Sequence, residues 1–264
     1  MKLDCILTAC NNNPIYVDFI PMFIKAWSKL YPYIDIKIVF INDTIVDSIN
    51  EYKNNIILFK PIENISTVFI SQYIRLLYPA ILNYENGIMI TDIDMIPMND
   101  KYYTKNIENI ENNKFIYLRN VLVNDCNQIA MCYNVALNKT WSDIFNIKLL
   151  EDINEKLISI YEDGIEWTTD QTDLYNYVMN WNKITNNFVI LDDLKTGYNR
   201  LCRDNITNTR SNIKISKYIM LNRNNININD NIKNMIKLGN YSDYHCCRPY
   251  NQYKSINDEI INLL

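Results

Sequence analysis

Gly87-Ile88-Met89-Ile90-Thr91-Asp92-Ile93-Asp94-Met95-Ile96-Pro97 is a short apolar run that ends in two acids separated by one residue. The run reads as a buried strand. Side chains of a strand alternate faces, so Asp92 and Asp94 are expected on one side and Ile93 and Met95 on the other. Pro97 donates no backbone hydrogen bond and is expected to mark where sheet pairing stops. Open α/β sheets bind ligands beyond the carboxyl ends of their strands. Two hard oxygen donors there suit Mg²⁺ or Mn²⁺ carrying a phosphorylated substrate. An arbitrary Asp-x-Asp is more often a solvated turn, and the apolar residues on both sides of this one argue against that.

The chain before this stretch supports the same frame. Leu3 to Ala9 reads as a first strand, Cys10 to Pro14 as a loop with Pro14 suited to a first helical position, and Ile15 to Leu30 as a helix. Phe19, Ile20, Phe23, Ile24 and Trp27 recur at helical spacing. Ile36–Ile41 and Asn55–Phe59 follow as strands, an opening typical of a doubly wound domain. Ser66 is a candidate N-cap for a helix to about Asn83, with Phe69, Tyr73, Leu76, Leu77, Ala80 and Ile81 as its apolar stripe. Arg75 lies one turn from Ser71 on the same face, either as a surface salt bridge or as a neighbour of phosphate.

Beyond Pro97, Lys114–Arg119 and Gln128–Tyr133 read as strands and Lys139–Tyr161 as mostly helix, broken by Gly164. Glu166-Trp167-Thr168-Thr169-Asp170-Gln171-Thr172-Asp173 then leads into a helix carrying Leu174, Tyr177, Val178 and Trp181. Thr169 or Asp170 could simply cap it. Phe188–Leu191 reads as a last core strand. From Lys195 onward periodicity fades until Ile256–Leu264, and Asn222–Asn234 is low in complexity. With no repeat and no boundary signal, residues 1–264 are expected to form one domain, of which 195–264 is poorly patterned and a possible acceptor-side part.

A length of 264 residues allows one sizeable core. Abundant Asn, Ile, Lys and Tyr reflect AT-rich codons rather than fold. The net charge of -4 offers no field for nucleic acid or an anionic membrane. A local series (Lys195, Arg200, Arg203, Arg210, Lys214, Lys217, Arg223) reads as a solvated face, or one that meets phosphate or an acidic acceptor. The seven cysteines are an odd number with no C-x-x-C pair, so reduced thiols are expected and a structural zinc site is not. Neither a signal-like apolar segment nor a transmembrane run is apparent, and a cytosolic compartment is expected.

The chemistry follows partly by elimination. Glycine stands only at 87, 164, 197 and 239, so no G-x-G-x-x-G and no Walker A loop can be written. A nucleotide-binding sheet without that cradle would neutralise a diphosphate through a divalent ion on paired acids. The single histidine lies in Asp243-Tyr244-His245-Cys246-Cys247-Arg248-Pro249-Tyr250. Imidazole suits a Mn²⁺-type site, and Arg248 could pair with phosphate bidentately. Cys246 and Cys247 lack ligand spacing and read as packing residues.

Together these segments resemble the GT-A glycosyltransferases, most closely the retaining family 8 that includes glycogenin and bacterial galactosyltransferases. Asp92-Ile93-Asp94 is similar to the DxD motif of that fold. Ser71-Gln72-Tyr73-Ile74-Arg75-Leu76 resembles the helix whose Arg approaches the donor, and Asp170-Gln171-Thr172-Asp173 resembles the family's D-Q-D segment. His245-x-x-Arg248-Pro249-Tyr250 resembles the late H-x-x-G-x-x-K-P-W element, without its Gly and with the basic residue early. The resemblance implies an α/β GT-A fold, Rossmann-like, with a mixed, mostly parallel central sheet flanked by helices.

It further implies transfer from a nucleotide-sugar donor, a UDP-sugar above all, to a glycan or protein hydroxyl, with neither nucleic acid nor membrane span involved. Asp92, Asp94 and His245 would hold Mn²⁺ or Mg²⁺. Thr8, Ala9 and Asn11 would hold base and ribose, while Arg75, Asp92, Ile93 and Arg248 would line the rest of the donor. Asp170 and Gln171 would lie beside the reactive carbon. An inverting enzyme would instead need Asp170 or Asp173 as a base. The rival readings are a sugar nucleotidyltransferase, for which Thr8–Pro14 lacks both Gly and Lys, and a non-enzymatic sugar- or protein-binding module.

Overall fold

A computed structural model describes residues 1–181, 183–203 and 228–264, together with the backbone of 218–220. Arg210, Lys214, Lys217 and Arg223 of the basic series, and Asn222 to Asn227 of the Asn-rich stretch, lie outside the described residues.

The main sheet contains β1 (Leu3–Asn11), β2 (Asp35–Ile41), β3 (Ile56–Phe59), β4 (Gly87–Ile90), β6 (Phe115–Tyr117), β7 (Asn134–Ala136) and β8 (Phe188–Ile190), in the order β3-β2-β1-β4-β7-β6-β8. All its pairings are parallel except those of β7 with β4 and β6. A smaller sheet has the order β10-β9-β11-β5, from β5 (Met95–Pro97), β9 (Arg200–Cys202), β10 (Tyr218–Met220) and β11 (Asp243–His245). The sheet is thus mixed and mostly parallel, as expected.

Alternation along the strands builds the two cores. Ile6, Ile36, Ile38, Phe40 and Met89 face one side with helix α1 (Ile20–Leu30), where Phe23 and Trp27 are fully buried. Cys5, Leu7, Val39, Ile41, Ile88 and Ile90 face the other side with α2 (Thr67–Leu77). Each fully buried aromatic or aliphatic side chain contributes about 1.5–3 kcal/mol. Helices α3 (Asn138–Phe145), α4 (Leu150–Glu162) and α5 (Thr169–Asn180) add to the second side, and α6 (Asp230–Lys237) and α7 (Lys254–Leu263) to the first. Because β1 lies between β2 and β4, its carboxyl end is a point where successive connections leave to opposite faces, and that opens a crevice.

The two sheets are tied by a buried carboxylate. Asp243 accepts hydrogen bonds from Tyr133 Oη (2.7 Å), Tyr198 Oη (3.1 Å) and Arg200 Nη2 (2.6 Å). A second buried pair, Arg119 Nε to Asp193 at 3.1 Å, stacks its guanidinium 3.6 Å over the Tyr198 ring. A buried charge is tolerable only when paired and hydrogen-bonded in this way.

Several expectations need correction. β4 ends at Ile90, so Asp92 and Asp94 sit in the turn that follows it, closed by Met95 N to Asp92 O (3.1 Å), and not on a strand. Pro97 does not end pairing. It lies within β5, paired with Asp243 on the edge of the smaller sheet, where a missing donor costs nothing. The first helix starts at Ile20 after a 3₁₀ turn at Val17–Phe19, and Pro21 rather than Pro14 occupies its first turn. Gln128–Tyr133 is not a strand; the strand begins at Asn134, and the apolar character of 129–133 comes from burial in the loop before it. Ser66 stands at the N-cap of α2 but makes no side-chain cap bond. Arg200 and Arg203 do not belong to a solvated basic face, since both are held in ion pairs.

Gly87, at the start of β4, is a close-approach position. A Cβ there would lie 2.8 Å from Val135 Cγ1 and 3.0 Å from the Lys2 carbonyl oxygen. Gly87→Ala is therefore expected to lower stability by about 1–3 kcal/mol, as overpacking does. A lower urea midpoint with an unchanged slope would show it.

Candidate functional site

The crevice beyond β1 and β4 is a cleft of about 520 Å³, within the usual range of ligand pockets of about 300–1,000 Å³. Its floor is the Asp92–Asp94 turn. β5 runs antiparallel to β11, pairing Met95 with His245, and β11 runs parallel to β9, pairing His245 with Cys202. Asp94, His245 and Arg203 therefore meet at one end of the smaller sheet, although they lie far apart in sequence.

Asp94 is buried and strongly paired. His245 Nε2 lies 3.6 Å and Arg248 Nη1 3.5 Å from its Oδ2, and Arg203 Nη1 donates to the same oxygen. Arg203 also donates to Cys246 O at 2.9 Å. Burial opposes the charge on Asp94, but the His245 bond and the charges of Arg203 and Arg248 outweigh it and hold the carboxyl well below its ordinary value. Burial likewise pulls the His245 imidazole down, while its bonds to Asp94 and Cys202 pull it up more strongly, for a net rise.

On the α2 side, buried Arg75 binds both acids of the neighbouring segments. Its Nη1 donates to Asp92 Oδ1 and, at 3.2 Å, to the Thr91 carbonyl, and its Nη2 reaches Asp170 Oδ2 at 3.4 Å. The surface salt bridge weighed for Arg75 is thus a buried one. Burial, with Asp92 close by, raises Asp170 to about 6 against the pull of Arg75. Asp170 stands in the first turn of α5, where its Oδ1 accepts the Gln171 backbone N–H at 2.9 Å.

The cleft brings together Ala9, Asn11, Arg75, Asp92, Ile93, Asp94, Asp170, Gln171, His245 and Arg248 of the expected site residues. Two expected residues fall elsewhere. Thr8 is fully buried and not at the cleft, because β1 continues to Asn11 and keeps Thr8 inside the sheet. Asp173 turns away to accept Tyr73 Oη at 2.8 Å and does not line the cleft, which removes it as a base. Tyr16, Met131, Cys132, Trp167 and Arg203 line the cleft and were not expected there. No spacing marks Tyr16, whose hydroxyl accepts from Arg248 Nη1.

The donor set suits a hard divalent ion in part. Among the described residues no three His, Cys, Asp or Glu side chains gather as a ligand cluster. Asp94 and His245 do stand together, while Asp92 is drawn toward Arg75. Mg²⁺-type ions keep several waters and need only one or two carboxylates when substrate phosphates complete the shell. A carboxylate–imidazole pair beside a second acid fits that requirement.

Known structures share this architecture. The galactosyltransferase LgtC, solved with donor and acceptor sugar analogues, superposes with a TM-score of 0.52 at 12% identity, covering 98% of this chain and 94% of LgtC. An active-site mutant of LgtC gives 0.53 at 12% identity, over 97% and 95% of the two chains. The chain has the GT-A fold. At 12% identity this likeness is one of fold. The Streptococcus pneumoniae TIGR4 glycosyltransferase GlyE matches 75% of this chain at 17% identity and a TM-score of 0.47, and the chain spans about half, 47%, of its length. No protein-family model and no curated protein sequence matches the chain. Among the described residues no helix of this GT-A chain is long and apolar enough to cross a membrane.

The raised Asp170 has a measurable consequence. A carboxyl lifted from 3.8 to about 6 on folding contributes stability that is complete below the lower value and is lost as pH rises through the upper one, about 3 kcal/mol in all. Asp170→Asn removes this dependence. Urea unfolding at pH 4 and pH 7 is expected to show the variant gaining on the wild type by about 2 kcal/mol at the higher pH, part of the dependence being already spent at pH 4.

Proposed function

We propose that the chain is a metal-dependent glycosyltransferase, moving a sugar from a nucleotide-sugar donor to a hydroxyl acceptor with retention at the anomeric carbon. The observation that carries this reading is the meeting of Asp94 and His245, 3.6 Å apart, on the floor of a cleft at the carboxyl ends of β1 and β4. UDP is the nucleotide implied by the family resemblance and the first to test.

Asp94 and His245, with Asp92 beside them, would hold Mn²⁺ or Mg²⁺. That ion supplies Lewis-acid stabilisation of the phosphoryl oxygens. The cleft's three acids (Asp92, Asp94, Asp170) face three guanidinium groups (Arg75, Arg203, Arg248), so its own charges sum to zero once His245 has given up the proton that Asp94 favours, as an imidazole must to ligate a metal. A diphosphate of charge about -2 is balanced when it enters with a divalent cation. Ala9 and Asn11 would sit against the nucleoside. Arg248, half-buried against the Tyr16 ring at 5.4 Å, would meet the diphosphate and stabilise the charge that grows on it as the sugar leaves.

Asp170 and Gln171 would lie at the reactive carbon and support its positive character. The bond from that carbon to the diphosphate oxygen breaks, the acceptor oxygen bonds to the carbon, and the acceptor proton passes to the departing phosphate oxygen. Retention then needs no carboxylate base. Inversion would require one, and Asp170 is the acid in the cleft left to serve.

UDP-sugar turnover with Mn²⁺, followed by NMR of the product anomer, tests the proposal. Retained configuration is expected, and Asp94→Asn is expected to lower turnover about a hundredfold or more, the scale for losing a group that stabilises developing charge. Undiminished turnover by that variant would refute the assignment, and an inverted product would transfer the role of base to Asp170.

A further inference from the structure

Four tryptophans are present, and the fold hides three of them: Trp27 and Trp141 are fully buried and Trp181 is 6% exposed. Trp167 is 69% exposed and lines the cleft, three residues before Asp170. Leaving an indole in water forgoes the burial of about 150–250 Å² of largely apolar surface. Tryptophan is enriched at binding surfaces, because its ring offers a large apolar face together with a polar N–H.

Its backbone is fixed in place. The turn from Glu166 to Thr169 is closed by Thr169 N to Glu166 O (3.2 Å), by Glu166 N to Thr169 Oγ1 (2.7 Å), and by the Thr169 hydroxyl donating back to Glu166 O (3.0 Å). Thr172 N to Thr168 O (2.9 Å) joins that turn to α5. Val68, itself 43% exposed, lines the same cleft from the first turn of α2, and Gln72 and Gln171 line it as well. The charged groups of the cleft are paired around Asp94 and Arg75, whereas the indole of Trp167 is left largely to solvent.

We propose that Trp167 is the stacking platform for the acceptor, and that the acceptor is therefore a pyranose-bearing glycan rather than a protein hydroxyl. The inference rests on the transferase reading given above. A pyranose ring has one or both faces covered by C–H bonds and a rim of hydroxyls. The C–H face suits the electron-rich face of an indole, and the rim suits amides such as those of Gln72 and Gln171. A preformed aromatic surface binds at low entropic cost, which makes it effective for a ligand with few apolar atoms. Stacked on Trp167, an acceptor would present a hydroxyl toward Asp170 and Gln171, which line the same cleft.

Fluorescence tests this directly, because Trp167 is the one tryptophan among the described residues that emits from water. Wild type and Trp167→Phe are titrated with lactose, maltose, cellobiose and methyl β-D-glucopyranoside in the presence of UDP and Mn²⁺. Calorimetric UDP binding serves as the measure of folding and of the donor side. Saturable quenching or a blue shift with at least one of these sugars is expected in the wild type and absent from Trp167→Phe. With a sugar that gives the signal, Trp167→Ala is expected to raise the acceptor KM about tenfold, equivalent to about 1.4 kcal/mol, and Trp167→Tyr to recover part of the loss.

Normal UDP binding with no sugar-dependent change in Trp167 would overturn the inference and leave the transferase reading standing, as would an acceptor KM that Trp167→Ala leaves unchanged. A sugar response in a protein that binds no UDP would overturn the transferase reading and keep Trp167 as a sugar-binding residue.

Discussion

A single carboxylate oxygen, Oδ2 of Asp94, organises the functional end of this molecule. It is approached by Arg203 just after β9, by His245 at the end of β11 and by Arg248 three residues further on. A lone buried carboxylate would cost several kcal/mol in lost hydration. The antiparallel register of β5 on β11 and the parallel register of β11 on β9 repay that cost by bringing the positive groups to one end. The smaller sheet does little to enlarge the core. Its contribution is to join the turn after β4 to residues more than a hundred positions away.

The same logic holds the site in place from outside. Asp243, at the opposite end of β11 from His245, fixes that strand to the main sheet through Tyr133 and to β9 through Arg200. Arg75 binds Asp92 and Asp170 together, so the turn after β4 and the first turn of α5 share one cation. Tyr73, two residues earlier on α2, binds Asp173 on α5. Each wall of the cleft is thus positioned by a buried polar contact rather than by apolar packing alone, which favours one defined geometry. For the transferase we propose, that geometry matters more than added stability, because reacting atoms must be held in register.

The parts of this arrangement that were legible in the sequence are those with periodicity or contrast. The helical stripes of α1 and α2, the apolar strands β1, β2 and β4, and the acids after Ile90 could all be read directly. The acids read as strand residues because the apolar residues continue through Ile96, but a turn interrupts the run between β4 and β5 and two different sheets use its halves. The smaller sheet was illegible because its strands are three residues long, too short for alternation to register. For the same reason Arg203 reads as part of a basic surface: nothing local tells an arginine just past a strand end and buried on an acid from a solvated one. Asp170 and Gln171 stand out by resemblance, and Trp167 beside them carries no signal of its exposure. Only the burial of the other tryptophans makes it stand out.

Calorimetric titration of UDP into the protein, once with Mn²⁺ and once with a chelator, addresses the central claim most directly. If the charges around Asp94 form a balanced donor site that takes a diphosphate together with a divalent cation, binding is strong with Mn²⁺, is lost with the chelator, and is lost in Asp94→Asn under both conditions. UDP binding of equal strength with and without the cation, or no binding in either case, would contradict the account.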